Sequence, residues 1–157
     1  MKIDLLVTGK TGERYLNDGI ELYQGRLKSY CNFNWREIPS KKWSRSLTPD
    51  QIKKKEGELI LKEISSKERV VLLDERGLSL TSVQFASFLQ KESLLSSSKL
   101  LFVIGGAWGF HSSTYQRADR VLSLSPMTLS HQMVRLLFVE QLYRAFTIIK
   151  GEPYHHL

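Results

Sequence analysis

The 157 residues suit a single domain with a full hydrophobic core, and 41% hydrophobic with 25% charged residues is typical of a soluble globular protein. No apolar run is long enough to span a bilayer, and the N-terminus lacks the pattern of a secretory signal, so we expect no membrane-spanning segment. The formal net charge of +7 favours a polyanionic partner, with nucleic acid first.

The cysteine content points to a reducing compartment. Cys31 is the only cysteine, so no internal disulfide can form, and a cytoplasmic protein is the simplest inference. Without a nearby histidine pattern, we interpret Cys31 as a packed or partly exposed thiol rather than a nucleophile.

The first part of the chain predicts two strands separated by a helix. Residues 2–8 predict a strand that ends at segment 9–12, whose glycine spacing is wrong for a P-loop. Apolar residues then recur at helical spacing over 13–30. The alternating segment 32–39 predicts a second strand that ends at a proline.

A basic loop follows at 40–45, with Trp43 among its lysines and arginine. Two interpretations are open: the loop grips phosphate and stacks on a base, or it is a solvated connector. Thr48 then caps a helix that has proline at its first position. The lysine run 53–55 on this helix is interpreted as a solvated face that could add to RNA affinity.

The second half continues the alternation of strands and helices. We predict a strand at 69–74 with a turn at 75–77, a helix capped by Thr81 and Ser82, a linker at 96–98, a strand at 100–104, a short helix between 109 and 119, and a second short apolar run at 121–125. This order implies an α/β fold with a mostly parallel sheet covered by helices on both faces, in one domain over 1–157.

The last helix, which ends near Lys150, is apolar around most of its circumference. A helix that is apolar on more than one face needs a second burial partner. We therefore predict a homodimer with this helix in the interface. The alternative is a helix buried entirely within its own domain.

Two loops in the carboxyl half, 105–110 and 126–131, each follow an apolar run. Loops at the carboxyl ends of parallel strands form the usual ligand site of an α/β sheet. Gly105 and Gly106 lack a Cβ, so their backbone can approach a ligand closely. Their spacing is not that of a dinucleotide-binding fingerprint.

Six segments, in this order, resemble one known family. They are Leu72–Asp74, Phe102–Gly106, Leu122–His131, Val134–Arg135, Glu140–Ala145 and Pro153–His155. Together they resemble the RlmH family, the ribosomal RNA large-subunit methyltransferases H of the SPOUT superfamily, and the resemblance covers the whole chain.

The resemblance implies a fold and a reaction. The fold is a SPOUT-type α/β knot with a C-terminal trefoil knot, and the active unit is a homodimer. The reaction transfers a methyl group from S-adenosylmethionine to N3 of a pseudouridine. The base lies in a stem-loop of 23S rRNA, the assembled ribosome is the substrate, and no metal is needed.

The resemblance also assigns cofactor-binding positions residue by residue. These positions are Leu73, Gly106, Ser125, Pro126, Met127, Thr128, Leu129 and Ser130. Ser130 departs from the family pattern, which commonly has proline just before the histidine found here as His131. A serine makes this loop more flexible than a proline would.

Methylation at N3 requires removal of a proton and stabilisation of the resulting negative charge. The candidate residues are His131, Arg135, Glu140, Arg144, Tyr154 and His155. We expect Arg135 or Arg144 to stabilise the anion or a phosphate. His155 is the best titrating base, and Tyr154 and His155 would close over the target base from one subunit or the other. The alternatives are a structural His131 at the helix start and a frayed tail.

A binding protein is the main competing class. A ribosome-assembly factor that has lost catalysis would not bind S-adenosylmethionine saturably. Another SPOUT enzyme acting on transfer RNA or a different rRNA base is the alternative within the class. The missing glycine fingerprint disfavours a nicotinamide-dependent enzyme.

Overall fold

Strands and helices alternate along the chain in the computed structural model, which describes residues 1–95 and 99–156. The strands are β1 (Lys2–Thr8), β2 (Asn32–Ile38), β3 (Arg69–Ser79), β4 (Leu100–Ile104) and β5 (Arg120–Ser123). The helices are α1 (Arg14–Leu27), α2 (Pro49–Glu63), α3 (Ser82–Leu95), α4 (Ser112–Arg117) and α5 (Met133–Lys150). The predicted linker at 96–98 lies outside the described residues.

The sheet has five strands in the order β2-β1-β4-β3-β5, and all the pairings between them are parallel. The prediction of a mostly parallel sheet is therefore confirmed. Because the strands are parallel, their carboxyl ends all lie at one edge, where the connecting loops meet.

Helices cover both faces of this sheet, as predicted. On one face α1, α3 and α5 bury a large cluster that includes Phe102 and Phe138, whose ring centroids are 4.7 Å apart. On the other face α2 and α4 cover a smaller cluster that contains Ile60 and Phe110. The first face buries more side chains because three helices pack on it.

Local signals explain the start of α2 and the end of α5. The Thr48 hydroxyl accepts a hydrogen bond from the Gln51 N–H at 3.2 Å, and the Gln51 side chain accepts one from the Thr48 N–H at 2.9 Å. This capping box confirms the predicted helix start. Gly151 ends α5 in the left-handed conformation, with a φ of 68°, which glycine adopts without steric cost.

Helix α5 packs against both α1 and α3. Its fully buried residues include Phe138, Val139, Leu142 and Ala145, while Leu136, Leu137, Ile148 and Ile149 are half-buried. An apolar strip of this helix therefore reaches the protein surface. The structure describes one chain, and the predicted dimer interface stays a prediction.

Within residues 1–95 and 99–156, no helix combines the length and the apolar character needed to cross a membrane.

Strand β3 is longer than predicted, because the expected turn at 75–77 is a bulge inside the strand. The pairing of β3 with β5 shifts between Leu73 and Leu78, which both lie opposite Leu122. A Cβ on Gly77 would lie 2.5 Å from the carbonyl carbon of Leu122, so only glycine fits there. The bulge removes Asp74–Arg76 from the ladder and turns them towards the carboxyl edge.

Gly77→Ala tests the role of this bulge. The added Cβ meets strand backbone that cannot rotate away, so we expect a loss of about 1–3 kcal/mol in the free energy of unfolding. Chemical denaturation at fixed protein concentration measures it. The control is Gly12→Ala, where a Cβ meets nothing within 4 Å. Equal stabilities of the two variants would show that the backbone of β5 does not exclude a Cβ at position 77.

Candidate active site

A cleft of about 530 Å³ opens at the carboxyl edge of the sheet, beside the ends of β3, β4 and β5. Three loops form most of its wall: 73–76 from the bulge of β3, 105–110 after β4, and 123–131 after β5. Lys53 of α2 and Tyr115 of α4 complete it. The two loops predicted from sequence to share one ligand site therefore line one cleft.

The glycine pair presents bare backbone to this cleft. A Cβ on Gly105 would lie 3.1 Å from the Phe110 ring, and one on Gly106 would lie 2.6 Å from a carboxylate oxygen of Glu56. The loop is closed by a hydrogen bond from the Gly109 N–H to the Gly106 carbonyl, at 3.2 Å. A Cβ at either position would therefore crowd its neighbour, the Phe110 ring at Gly105 and the flexible carboxylate end of Glu56 at Gly106.

The loop after β5 is held by its own serines. The Ser123 hydroxyl donates to the Ser125 carbonyl at 2.7 Å, and the Ser125 hydroxyl accepts from the Met127 N–H at 2.9 Å. The Ser130 hydroxyl accepts from the Met133 N–H at 3.1 Å, which satisfies a free donor at the start of α5. Ser130 therefore fastens the loop to the helix by a bond that a proline side chain cannot make.

Charged side chains of both signs line the cleft. On the bulge side, Asp74 accepts a hydrogen bond from the Tyr115 hydroxyl at 2.8 Å, and Glu75 accepts one from the Thr128 hydroxyl at 2.8 Å. Burial and the neighbouring Asp74 raise the pKa of Tyr115 to about 12, so this phenol stays a donor. Arg76 lines the cleft from the same loop, and Lys53, on the α2 side, pairs with Asp50 at 2.9 Å. The two carboxylates offer negative charge to a ligand that carries positive charge.

His131 lines the cleft and is half-buried. Burial, together with the nearby Arg135 guanidinium, lowers the pKa of its imidazole below the ordinary value of 6.5. The ring is therefore neutral at pH 7 and can accept or donate one hydrogen bond through each nitrogen.

Arg135 lies outside the cleft, although it was predicted to stabilise the anion. Its side chain is fully buried and donates to the carbonyls of Thr8 and Gly9 at 2.6 and 2.9 Å, and to the Thr11 hydroxyl at 3.0 Å. These contacts tie the first turn of α5 to the end of β1. The sequence could not reveal this partner because it lies more than 120 residues away.

The other predicted catalytic residues form a separate cluster, the tail cluster, made of Glu140, Arg144, Tyr154 and His155 with Tyr23 of α1. The Tyr154 hydroxyl lies 3.1 Å from both the Glu140 carboxylate and the Tyr23 hydroxyl. The Arg144 guanidinium sits 4.6 Å from the centre of the Tyr154 ring, and its Nη1 is 3.5 Å from Nδ1 of His155. The tail is thus packed onto α1 and α5.

Burial and hydrogen bonds to Tyr23 and Glu140 raise the pKa of Tyr154. A nearby tail contact joins the Tyr30 hydroxyl to the Glu152 carboxylate and raises the pKa of Tyr30 to about 12. Both phenols are therefore protonated at neutral pH and act as hydrogen-bond donors rather than bases.

The cleft and the tail cluster lie at different levels along α5. Val134 lines the cleft, and Arg144 is ten residues further on, which corresponds to about 15 Å along a helix. Within one subunit the structure therefore does not bring Arg144, Tyr154 and His155 to the predicted cofactor positions.

Sequence reasoning missed several residues that line the cleft. Asp74, Glu75 and Arg76 were assigned to a turn, since the bulge that directs them depends on pairing with β5. Tyr115 and Lys53 lie on separate helices, and only the fold brings them to the site. No sequence pattern indicated Glu56, which lies behind the cleft wall, because its contact with Gly106 is non-local.

Among the described residues, no cluster of three or more histidines, cysteines or carboxylates is placed to hold a metal ion.

A sequence model of the family described as "Predicted SPOUT methyltransferase" matches residues 1–155. The chain belongs to the SPOUT methyltransferase family. Among its SPOUT relatives, a protein of Christiangramia forsetii is 49% identical over 156 residues, with 99% of each chain covered. One of Parabacteroides distasonis is 47% identical at the same coverage. Both are named "Ribosomal RNA large subunit methyltransferase H", so the resemblance seen in the sequence is confirmed.

Solved structures agree on the fold. A probable methylase family protein from Haemophilus influenzae has a TM-score of 0.58 at 12% identity, covering 99% of this chain and 70% of that one. A probable methyltransferase from Bordetella pertussis also has a TM-score of 0.58, at 11% identity, covering 92% of this chain and 96% of that one. At such identities the likeness shows a shared SPOUT fold and nothing further.

The lowered pKa of His131 makes a testable prediction about stability. Because the folded state favours the neutral ring, its contribution is fully present above pH 6.5 and is lost as the pH falls from there through the lower folded-state pKa. We expect the free energy of unfolding to fall more steeply below pH 6.5 in the wild type than in His131→Gln. Denaturation at a series of pH values measures this, and parallel losses in the two proteins would contradict it.

Proposed function

We propose that this protein transfers a methyl group from S-adenosylmethionine to N3 of a pseudouridine in a stem-loop of 23S rRNA, on the assembled ribosome. The observation that carries the proposal is the 49% identity, over 99% of both chains, to a protein named ribosomal RNA large subunit methyltransferase H. A ribosomal substrate implies a cytoplasmic enzyme.

The cleft fits the methyl donor. All the predicted cofactor positions except Pro126 line it, namely Leu73, Gly106, Ser125, Met127, Thr128, Leu129 and Ser130. Bare backbone at Gly106 permits close approach, and the loop after β5 offers backbone donors and acceptors for an adenine edge. Asp74 and Glu75 face a molecule that carries sulfonium and ammonium charges. The bound donor supplies an electrophilic methyl group.

Side chains of this protein remove the N3 proton and stabilise the resulting negative charge. His155 takes the N3 proton, and the Arg144 guanidinium stabilises the negative charge that develops on the base. Glu140 orients Arg144 through a hydrogen bond to Nε at 3.1 Å, and Tyr154 packs on the guanidinium. His131 lies closest to the cleft and contacts the base or the donor as a neutral ring. Arg135 holds the helix start instead of touching substrate.

We further propose that the active unit is a homodimer with α5 in its interface and a C-terminal trefoil knot in each subunit. The separation of about 15 Å along α5 supports this, since one subunit does not bring its own tail to its own cleft. The partly exposed apolar strip of α5 supplies a surface for the contact. The tail of the second subunit then completes each site.

The adjacent histidines of the tail provide a matched test of the base. His155 lies beside Arg144, whereas His156 is exposed. We expect His155→Ala to lower the methylation rate of ribosomes by about 10²–10⁴-fold, because it removes the proton acceptor. His156→Ala should leave the rate near wild type. Mass spectrometry of the rRNA stem-loop measures the product, and equal rates would exclude His155 as the base.

Truncation after Gly151 separates binding from catalysis. Calorimetry with S-adenosylmethionine should show saturable heat for both the full chain and the truncated chain, whereas only the full chain methylates ribosomes. Methylation by the truncated chain would remove the tail from the mechanism. Absence of saturable heat with the full chain would favour a binding protein without catalysis.

Mixing two inactive variants tests the composite site. Thr128→Trp blocks the cleft mouth, and His155→Ala disables the tail. In a homodimer with exchange of subunits, a mixture should regain about a quarter of wild-type activity, since each mixed dimer holds one intact cleft and one intact tail from different subunits. If each cleft used its own tail, the mixture would stay inactive.

A further inference from the structure

The loop between β2 and α2 presents positive charge near the cleft that no carboxylate in the described part of the chain neutralises. Lys41, Lys42 and Arg45 are exposed there, and Lys10 is exposed in the neighbouring loop after β1. Within the described ranges, none of these four has a carboxylate partner within 4.0 Å. We call these four residues the basic rim.

Several basic residues elsewhere are neutralised by carboxylates. At the amino-terminal edge of the sheet, Arg36 and Lys99 both pair with Asp4 and Glu68. Arg69 and Arg117 likewise pair with carboxylates, those of Glu92 and Asp119. Those cations stabilise the fold, so they are not free to hold an external anion. The rim lacks such partners, and part of the net charge of +7 is therefore presented to solvent there.

Trp43 fixes the rim against the wall of the cleft. Its indole is half-buried, and its proximity to the Glu56 carboxylate opposes the rise in the pKa of Glu56 that burial causes. Glu56 packs directly behind Gly106. The tryptophan thus anchors the loop, and of the two interpretations of this loop the part that has Trp43 stack on a base is disfavoured.

Lys10 joins the same surface from the other side. A Cβ on Gly9 would lie 3.2 Å from Cβ of Ser40, so the first loop touches the start of the rim loop. The Gln132 side chain donates to the Lys10 carbonyl at 3.2 Å, which connects this loop to the residue after His131. The rim therefore borders the cleft along the side formed by α2 and the end of β1.

We infer that the basic rim binds the phosphate backbone of the RNA that presents the target base. This inference rests on the proposed function, in which RNA is the substrate. The bulge loop carries two carboxylates, Asp74 and Glu75, and one guanidinium, Arg76, whereas the rim carries only cations, so a polyanion is attracted more strongly to the rim.

Charge reversal tests the inference with a matched control. The rim variant is Lys41→Glu, Lys42→Glu and Arg45→Glu together. The control reverses three exposed lysines without carboxylate partners in the described chain, Lys62, Lys67 and Lys91, which gives the same change in net charge. We expect the rim variant to raise the KM for ribosomes by about tenfold or more, with the Kd for S-adenosylmethionine unchanged. The control should stay within about twofold of wild type.

Salt dependence provides a second readout that does not depend on the chemical step. Replacing Lys41, Lys42 and Arg45 with alanine should reduce the slope of log Kd for ribosomes against log salt concentration by about one for each phosphate that the rim no longer binds. If charge reversal weakens binding of S-adenosylmethionine by disturbing the cleft, the salt slope of this alanine variant still shows whether the rim binds RNA.

The outcomes separate the two proposals. If the wild type does not methylate ribosomes, the proposed function fails, whatever the rim does. If the wild type methylates them, and the rim and control variants show the same KM and the same salt slope, the inference about the rim is overturned. A raised KM and a reduced slope confined to the rim variants support it.

Discussion

A fully buried guanidinium holds the beginning of the chain to its end. Arg135 donates to the carbonyls of Thr8 and Gly9 and to the hydroxyl of Thr11. Burial lowers its pKa, an effect that the charge of Glu37 partly opposes. An isolated buried charge costs several kcal/mol, so the start of α5 cannot leave the end of β1 without losing the groups that satisfy it. The loop before α5 is thereby fixed over the cleft.

Two departures from regular structure then give the cleft its charge pattern. The bulge at Gly77 brings Asp74 and Glu75, together with Arg76, to the wall of the cleft, and the loop that holds Trp43 presents lysines near it. A cationic methyl donor and a polyanionic RNA need opposite fields within a short distance. A parallel sheet provides for both, because its loops converge at one edge while each comes from a different connection.

Local signals explain what the sequence could predict. The strand positions, the capping box at Thr48 and the two ligand loops all follow from patterns within a few residues. The bulge at Gly77 and the burial of Arg135 depend on partners that are distant in sequence, so no local pattern predicts them. The roles of Arg144, Tyr154 and His155 stay a prediction. The sequence left open which subunit's tail serves a site, and the distance of this tail from its own cleft along α5 becomes visible only in three dimensions.

The most direct measurement is a crystal structure of the protein with S-adenosylmethionine bound. The donor should lie between the glycine pair and the loop after β5, with its sulfonium methyl group open to a tail that belongs to a second, symmetry-related subunit. A donor bound at another surface, or a monomer whose apolar α5 strip faces solvent, would contradict the central claim that two subunits build one methyl-transfer site.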